Sequence, residues 1–440
     1  MLMDIDQVKE ICSDHTLHTV ECVYPDTHGI PRGKRIPVRY FTEHGYEGFD
    51  IANVSLVWDR KCDILDNISY ANWETGYPDM KVVPDLSTFR PVPWRPGAAA
   101  VICDCVDIED RSPVRMSTRQ LLKNVIAEAR AMGFEPMIGS ELEFYVLDSN
   151  GVPVYPDVAC YSLDKGALLE GLLEHVRREL DDFGIQIEAC NTEYGPAQVE
   201  VNIRYADALT TADRTMLFKM GVRDIAAQHG YKTTFMAKPL AAESGSGYHL
   251  HQSLTGPEAE RNLWDDCDHE VTNPLMRHYL AGLLEHMIPF SALYAPTVNA
   301  YKRVKGYTFA PLNASWGLDN RTVAVRALVG LGAGNRLEWR HGAADANPYL
   351  AIAASLAAGL DGIRQRREPP EMVKGNAYRR DDLPVLPQTL EAALDALGGS
   401  DLARTFLGDF LDVFIALGRH EVGLWRSVVT DWERDRYFEA

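Results

Sequence analysis

Several things the sequence lacks narrow its class before any motif is considered. It has no cationic excess: 44 Lys and Arg stand against 63 Asp and Glu, a formal net charge of −19. Non-specific binding to nucleic acid or to an anionic membrane is therefore not expected. No stretch approaches the ~20 consecutive apolar residues of a membrane span. The first twenty residues, MLMDIDQVKEICSDHTLHTV, carry no basic start followed by an apolar run, so no signal peptide is expected. There is no CxxC pair. The eight cysteines, at 12, 22, 62, 103, 105, 160, 190 and 267, read as free thiols of a cytoplasmic protein. Fixed-period repeats and low-complexity tracts are missing too. What remains is an ordinary globular composition, 46% hydrophobic and 24% charged, on 440 residues, a length that suggests two or three domains.

The strongest punctuation is the proline-rich stretch Arg90-Pro91-Val92-Pro93-Trp94-Arg95-Pro96-Gly97, followed by an apolar strand over Ala99–Val106 and a polar link. A domain boundary is expected within 106–116, giving a small β-rich unit over 1–110 and a larger one over 111–440. Beyond it strands and helices alternate. Helices are expected over Thr118–Met132, Asp164–Phe183 and Ala208–His229, each ended by a glycine. Strands are expected within Phe134–Leu147 and over Gln198–Tyr205, Tyr248–Leu254 and Asn335–Arg340, with a mostly helical tail from Ala346. The class is α+β.

Side chains at i and i+2 of a strand share a face. That rule places Glu141 with Glu143, Glu200 with Asn202 and Arg204, His249 with His251 and Ser253, and Arg336 with Glu338 and Arg340, in each case opposite an apolar row. A solvated outer face would explain any one strand, but would draw mostly on Lys, Thr, Ser and Gln. Glu, His, Arg and Asn are instead the groups that hold divalent cations and anions. Closely packed carboxylates repel unless cations neutralise them, so a metal-filled funnel is the favoured reading. The loop Glu243-Ser244-Gly245-Ser246-Gly247 runs into the His249 strand and could bring backbone N–H groups close to a ligand, though a plain loop is the simpler reading. Arg303, Arg321, Arg326, Arg336 and Arg340 lie within 38 residues of this acidic chain, which suggests recognition of phosphate or carboxylate by guanidinium forks.

These segments occur in the order and spacing of a known family. Ser140-Glu141-Leu142-Glu143-Phe144, Gly195 to Glu200, Gly245 to His251, Asn299 to Arg303, Asn320 to Arg326, Arg336 to Arg340 and Asn347-Pro348-Tyr349-Leu350 together resemble the glutamine synthetases over nearly the whole chain. The resemblance implies a small N-terminal β-grasp domain and a large catalytic domain with a curved antiparallel sheet flanked by helices. It implies that Glu143, Glu193 and Glu200 hold one divalent metal, Mg2+ or Mn2+, and Glu141, His249 and Glu338 a second. His251, Arg321, Arg326 and Arg336 would meet the phosphates of ATP, the co-substrate, with Tyr205 and Ser253 near its base. Gly245, His249, Arg303 and Arg340 would surround glutamate, and Arg303, Arg321 and Glu338 would act in catalysis. The resemblance further implies a homo-oligomer, a dodecamer of two hexameric rings in which the N-terminal domain of one subunit completes its neighbour's site.

The sequence departs from the ammonium-using members where ammonium would bind. Their flap, Pro-Gly-Tyr-Glu-Ala-Pro, corresponds to Lys305-Gly306-Tyr307-Thr308-Phe309-Ala310-Pro311, with Phe309 in the glutamate's place. Their Asp-Gly-Ser-Ser signature has only Asp50 as its nearest counterpart. Exchanging a carboxylate for a ring weakens selection for a small cation, and burying methylenes is favourable by ~0.8 kcal/mol each. The pattern resembles the branch that glutamylates polyamines or monoamines in amine catabolism. A glutamine synthetase with an altered flap, a non-catalytic assembly or regulatory homologue and a phosphagen-type kinase are the other readings. The intact metal-ligand set speaks against the homologue. The segment Asn376–Pro384 is only distantly like the adenylylation loop of many bacterial members, so Tyr378 is not expected to be a regulatory site.

Overall fold

The computed structural model describes residues 3–257 and 261–440. Its chain builds two sheets in succession. The first comprises β1 (Thr19–Pro25), β2 (Pro31–Pro37), β3 (Phe49–Ala52), β4 (Asp79–Pro84), β5 (Arg90–Pro91) and β6 (Ala98–Val106), in the order β2-β1-β6-β4-β3 with β5 on β6. β1 and β6 run parallel and the other pairs antiparallel. β6 is almost continuously apolar and buried, as a strand in the middle of a covered sheet should be.

The second sheet is larger and carries the polar faces. Its strands are β7 (Glu135–Leu147), β8 (Ile187–Thr192), β9 (Gln198–Asp207), β10 (Lys232–Thr234), β11 (Tyr248–Thr255), β12 (Trp316–Leu318), β13 (Val325–Leu328) and β14 (Arg336–Trp339). They lie in the order β12-β13-β14-β11-β7-β9-β8, with β10 paired to β7, and all pairs are antiparallel except β12 with β13. One face is covered by the helix Ala208–Gln228. Thr215 of that helix donates to the Ser140 hydroxyl at 2.8 Å, and Phe218 packs edge-on to Phe144, with ring centroids 6.3 Å apart. A second layer, Pro348–Gln365, is buried along most of its length against Pro274–Glu285 and Thr118–Ala131. Among the described residues no helix is long and apolar enough to cross a membrane.

The two sheets meet over Arg119, the second residue of the helix Thr118–Ala131. Its fully buried guanidinium donates to Asp85 and Asp104 of the first sheet's region and bidentately to Asp213 of the helix Ala208–Gln228, all at 2.7–3.0 Å. Asp213 also accepts from Tyr349 at 2.7 Å. A buried ion cluster this fully bonded tolerates the loss of no single member cheaply.

Two expectations change. The helix expected over Asp164–Phe183 is a short turn at Leu163–Gly166, a 3-10 turn at Ala167–Leu169 and then a helix over Glu170–Asp182. Tightening to three residues per turn shifts the phase of the apolar stripe, so Leu169 is buried while Leu168 is exposed. Strand β8 was not foreseen, because its sequence Ile187-Glu-Ala-Cys-Asn-Thr192 has little apolar character to announce it. The eight cysteines are all free.

Candidate functional site

Strand register alone assembles most of the site. β11 pairs with β7 so that His249 faces Glu141, and with β14 so that His251 faces Glu338. β7 pairs with β9 so that Glu141 faces Asn202 and Glu143 faces Glu200, while β8 sets Asn191 against Glu200. β13 completes the row by placing Arg326 opposite Glu338. Directly opposed residues on one face lie about 5 Å apart, so six strands contribute neighbouring polar groups to a single basin.

These groups are knit together. Glu141 binds His249 Nδ1 at 2.7 Å and His251 Nε2 at 3.2 Å, and accepts from Asn202 Nδ2 at 2.8 Å. Glu143 accepts from the Gly247 N–H at 2.9 Å and from Gln198 Nε2 at 3.0 Å. Glu193, just beyond β8, accepts from Asn191 at 3.0 Å. Glu338 and His249 are buried, which no solvated sheet face would require.

Crowding shows in the protonation of the carboxyls. Burial, reinforced by Glu141, Glu143 and Glu193, pushes Glu200 up to about 10, and burial with Glu143 beside it raises Glu193 to about 7. Burial acts the same way on Glu141, but the bonds to His249 and His251 outweigh it and hold that carboxyl well below the usual range. At Glu338 burial is outweighed by Arg340, and the group sits at about 2.

The donor set suits a divalent cation. Ligand atoms of Glu141, Glu200 and His249 all lie within 4.8 Å of one another, as do those of Glu141, His251 and Glu338. The buried Nε2 of His249 has no hydrogen-bond partner among the described residues. A Cβ on Gly247 would come within 2.9 Å of that nitrogen, 3.0 Å of Glu143 and 2.8 Å of Arg303, so the glycine leaves open the space on which these groups converge. A cation at that point would relieve the repulsion that raises Glu200 and Glu193.

Arginines close the other side. Arg340 is buried, pairs with Glu338 through Nη1 and donates through Nη2 to the Phe309 carbonyl at 3.2 Å. Arg303 is buried beside Glu143 and Arg340, and its stem leaves no space for a Cβ at Gly245. Arg326 bridges Glu338 at 2.9 Å and Asp319, and Arg336 donates to His251 at 3.2 Å. Arg321 is exposed and forms no ion pair among the described residues; it lies near Tyr161.

Of the expected residues, Glu141, Glu143, Glu193, Glu200, His249, His251, Glu338, Arg303, Arg326, Arg336, Arg340 and Gly245 thus fall in one basin. Glu141 takes part in both close sets, and Glu143 and Glu193 lie beside them. Ser253 continues the His249–His251 face, and Tyr205 stands exposed across Gly139 from His251. Arg204, read as co-facial with Glu200, is exposed and donates to Gln186 at 3.4 Å, where the β7–β9 pairing becomes irregular. Asp50 pairs with Lys81 at 2.5 Å on the first sheet.

Gln198 was missed as a functional residue. It is buried and donates through one nitrogen to both Glu143 and the Gly245 carbonyl, at 3.0 and 3.1 Å. Its place two residues before Glu200 would have put it on the same face by the period-two rule. Tyr145 was missed as well; its hydroxyl holds the Ser244 carbonyl at 2.6 Å.

Comparison with known proteins gives this basin its relatives. The family model of the glutamine synthetase catalytic domain matches residues 115–437. The chain is 35% identical to a glutamate–isopropylamine ligase of a Pseudomonas species, over 98% of this chain and 97% of that one. It is 36% identical to the γ-glutamylethanolamide synthetase GlnA4 of Streptomyces coelicolor, over 99% and 96%. A solved GmaS–ADP complex superposes with a TM-score of 0.89 at 28% identity, covering 100% of both chains.

Proposed function

The chain belongs to the glutamine synthetase family, and from that membership we propose an acceptor other than ammonium: an organic amine, joined to the γ-carboxylate of glutamate in an ATP-dependent ligation. The observation that carries the reading is the pairing of a carboxylate-imidazole basin with Phe309, an aromatic ring in the position where ammonium-using members keep a glutamate. Two whole-length relatives named for isopropylamine and ethanolamide support it.

A carboxylate is a poor electrophile. An oxygen of the γ-carboxylate therefore attacks the terminal phosphorus of ATP, and ADP leaves with the electrons of the broken P–O bond. The amine lone pair then forms a C–N bond to the acyl phosphate carbon, the C–O bond to phosphate breaks, phosphate takes that pair, and the nitrogen gives a proton to water. The demand on the protein is positioning and charge dispersal. Glu141, Glu143, Glu193, Glu200, His249 and Glu338 would hold Mg2+ or Mn2+, which supplies neutralisation of the phosphate oxygens. His251, Arg321, Arg326 and Arg336 would face the phosphates, with Tyr205 and Ser253 toward the base. Arg303 and Arg340 would grip the carboxylates of glutamate, with Gly245 giving backbone access, and Gln198 would keep that loop and Glu143 in register. We assign the working form to a cytoplasmic dodecamer; a monomeric sedimentation profile at full activity would contradict that assignment.

The test is phosphate release from ATP and glutamate with a panel of amines that includes ammonium. An organic amine should give the highest kcat/KM. Ammonium outperforming every organic amine by a wide margin would make the protein a glutamine synthetase.

A further inference from the structure

At the rim of the basin two rings from separate loops meet. Tyr194, directly after Glu193, packs on Phe309 with centroids 5.4 Å apart and planes at 48°. Tyr194 keeps 49% of its surface exposed and Phe309 43%, so the pair presents apolar area to whatever enters. Both rings are attached to the basin. The Tyr194 N–H donates to Glu193 at 3.2 Å, and the Phe309 carbonyl accepts from Arg340.

The backbone here runs against residue preference. Tyr307 and Phe309 sit at φ +65° and +58°, a left-handed conformation in which bulky side chains are rare. Glycine would form the same turn without strain, so a ring held there is kept for what it touches. Tyr378 braces the segment, its hydroxyl donating to the Ala310 carbonyl at 3.1 Å and its ring 5.2 Å from that of Tyr307.

Charges of both signs lie near the pair: Glu193 directly precedes Tyr194, and the Phe309 carbonyl accepts from Arg340. What the two rings themselves add is apolar area, which favours an uncharged tail over one that ends in a second ammonium, whose burial there would be costly.

Building on the ligase reading, we propose that Tyr194 and Phe309 form the wall that seats the carbon chain of the acceptor, and that the acceptor is a primary monoamine with a short apolar tail, not a polyamine. Each methylene brought against the wall should raise kcat/KM about fourfold, the transfer of one CH2 out of water. The wall acts on acceptor choice and leaves the acyl phosphate step to the basin.

The experiment compares the full-length enzyme with Tyr194→Val, Tyr194→Phe and Phe309→Ala, using ammonium, methylamine, ethylamine, butylamine and putrescine. In the wild type, kcat/KM should climb from methylamine to butylamine, with butylamine above putrescine. Tyr194→Val and Phe309→Ala should each lower the butylamine-to-methylamine ratio about tenfold, mainly through the KM of the amine, and Tyr194→Phe should restore it. An unchanged ratio in both truncations, or putrescine preferred by the wild type, overturns the wall. A wild type that releases no phosphate with any amine overturns the ligase reading itself, a separate result.

Discussion

On the floor of the basin most functional side chains are tied to another: Glu141 to His249, His251 and Asn202, Glu338 to Arg326 and Arg340, Glu143 to Gln198 and Gly247. At the rim, Tyr194, Tyr307 and Phe309 stand largely exposed, and two of the three hold strained backbone. The floor is fixed by strand register, where a one-residue slip would turn every ligand to the wrong side. The rim is set by loops, which can change side chain without disturbing a ladder. The contrast separates the phosphoryl chemistry, which tolerates little variation, from the choice of nucleophile, which can drift.

The hardest test of that contrast is on the floor. Glu193→Ala should reduce ATP- and glutamate-dependent phosphate release by about a thousandfold with every amine alike. Near-normal turnover would remove Glu193 from the metal set and shift the burden to the closer triads. Gln198→Leu should cost less, about ten- to a hundredfold in kcat/KM, because it removes hydrogen bonds to a carboxylate and a carbonyl and leaves both groups in place. Its mark would be a joint rise in the KM of glutamate and in the metal concentration needed for activity. A change in only one would mean that Gln198 does not couple them.

How much of this could be read from the sequence follows the same division. The floor was legible because period-two alternation maps directly onto a sheet face: Glu141, Glu143, Glu200, His249, His251 and Glu338 were placed from spacing alone. The rule gave nothing at β8, whose polar sequence offers no apolar alternation to follow. Which carboxylates come closest was hidden as well, because it depends on side-chain direction within a face. At the rim, Phe309 was noticed for what it replaces. Tyr194 was not, since its contact joins loops 115 residues apart in the chain with no shared period.

The rim can be pushed the other way. Phe309→Glu returns a carboxylate to the mouth, where it should attract an ammonium ion and repel apolar tails. The kcat/KM ratio of ammonium to butylamine should rise about tenfold, a modest effect because the flap is open to solvent. An unchanged ratio would place acceptor choice outside the flap.

The smallest effect expected lies behind the floor, at Lys219. Its amine is buried among the rings of Phe235 and Tyr248, each centroid 5.8 Å away, and donates to the Ala346 carbonyl at 2.9 Å. Burial, with Arg223 and Arg60 assisting and Asp345 opposing, lowers its pKa from 10.5 to about 7. Between those values the unfolded chain holds a proton that the folded one has lost, so stability rises with pH across that window and is lowest below about 7. The urea midpoint should therefore increase from pH 7 toward pH 10, and Lys219→Met should flatten the rise while keeping most of the packing. Equal slopes in both proteins would show that Lys219 stays charged in the fold. The immobility of the floor would then owe something to a buried cation as well as to register, narrowing the gap between floor and rim.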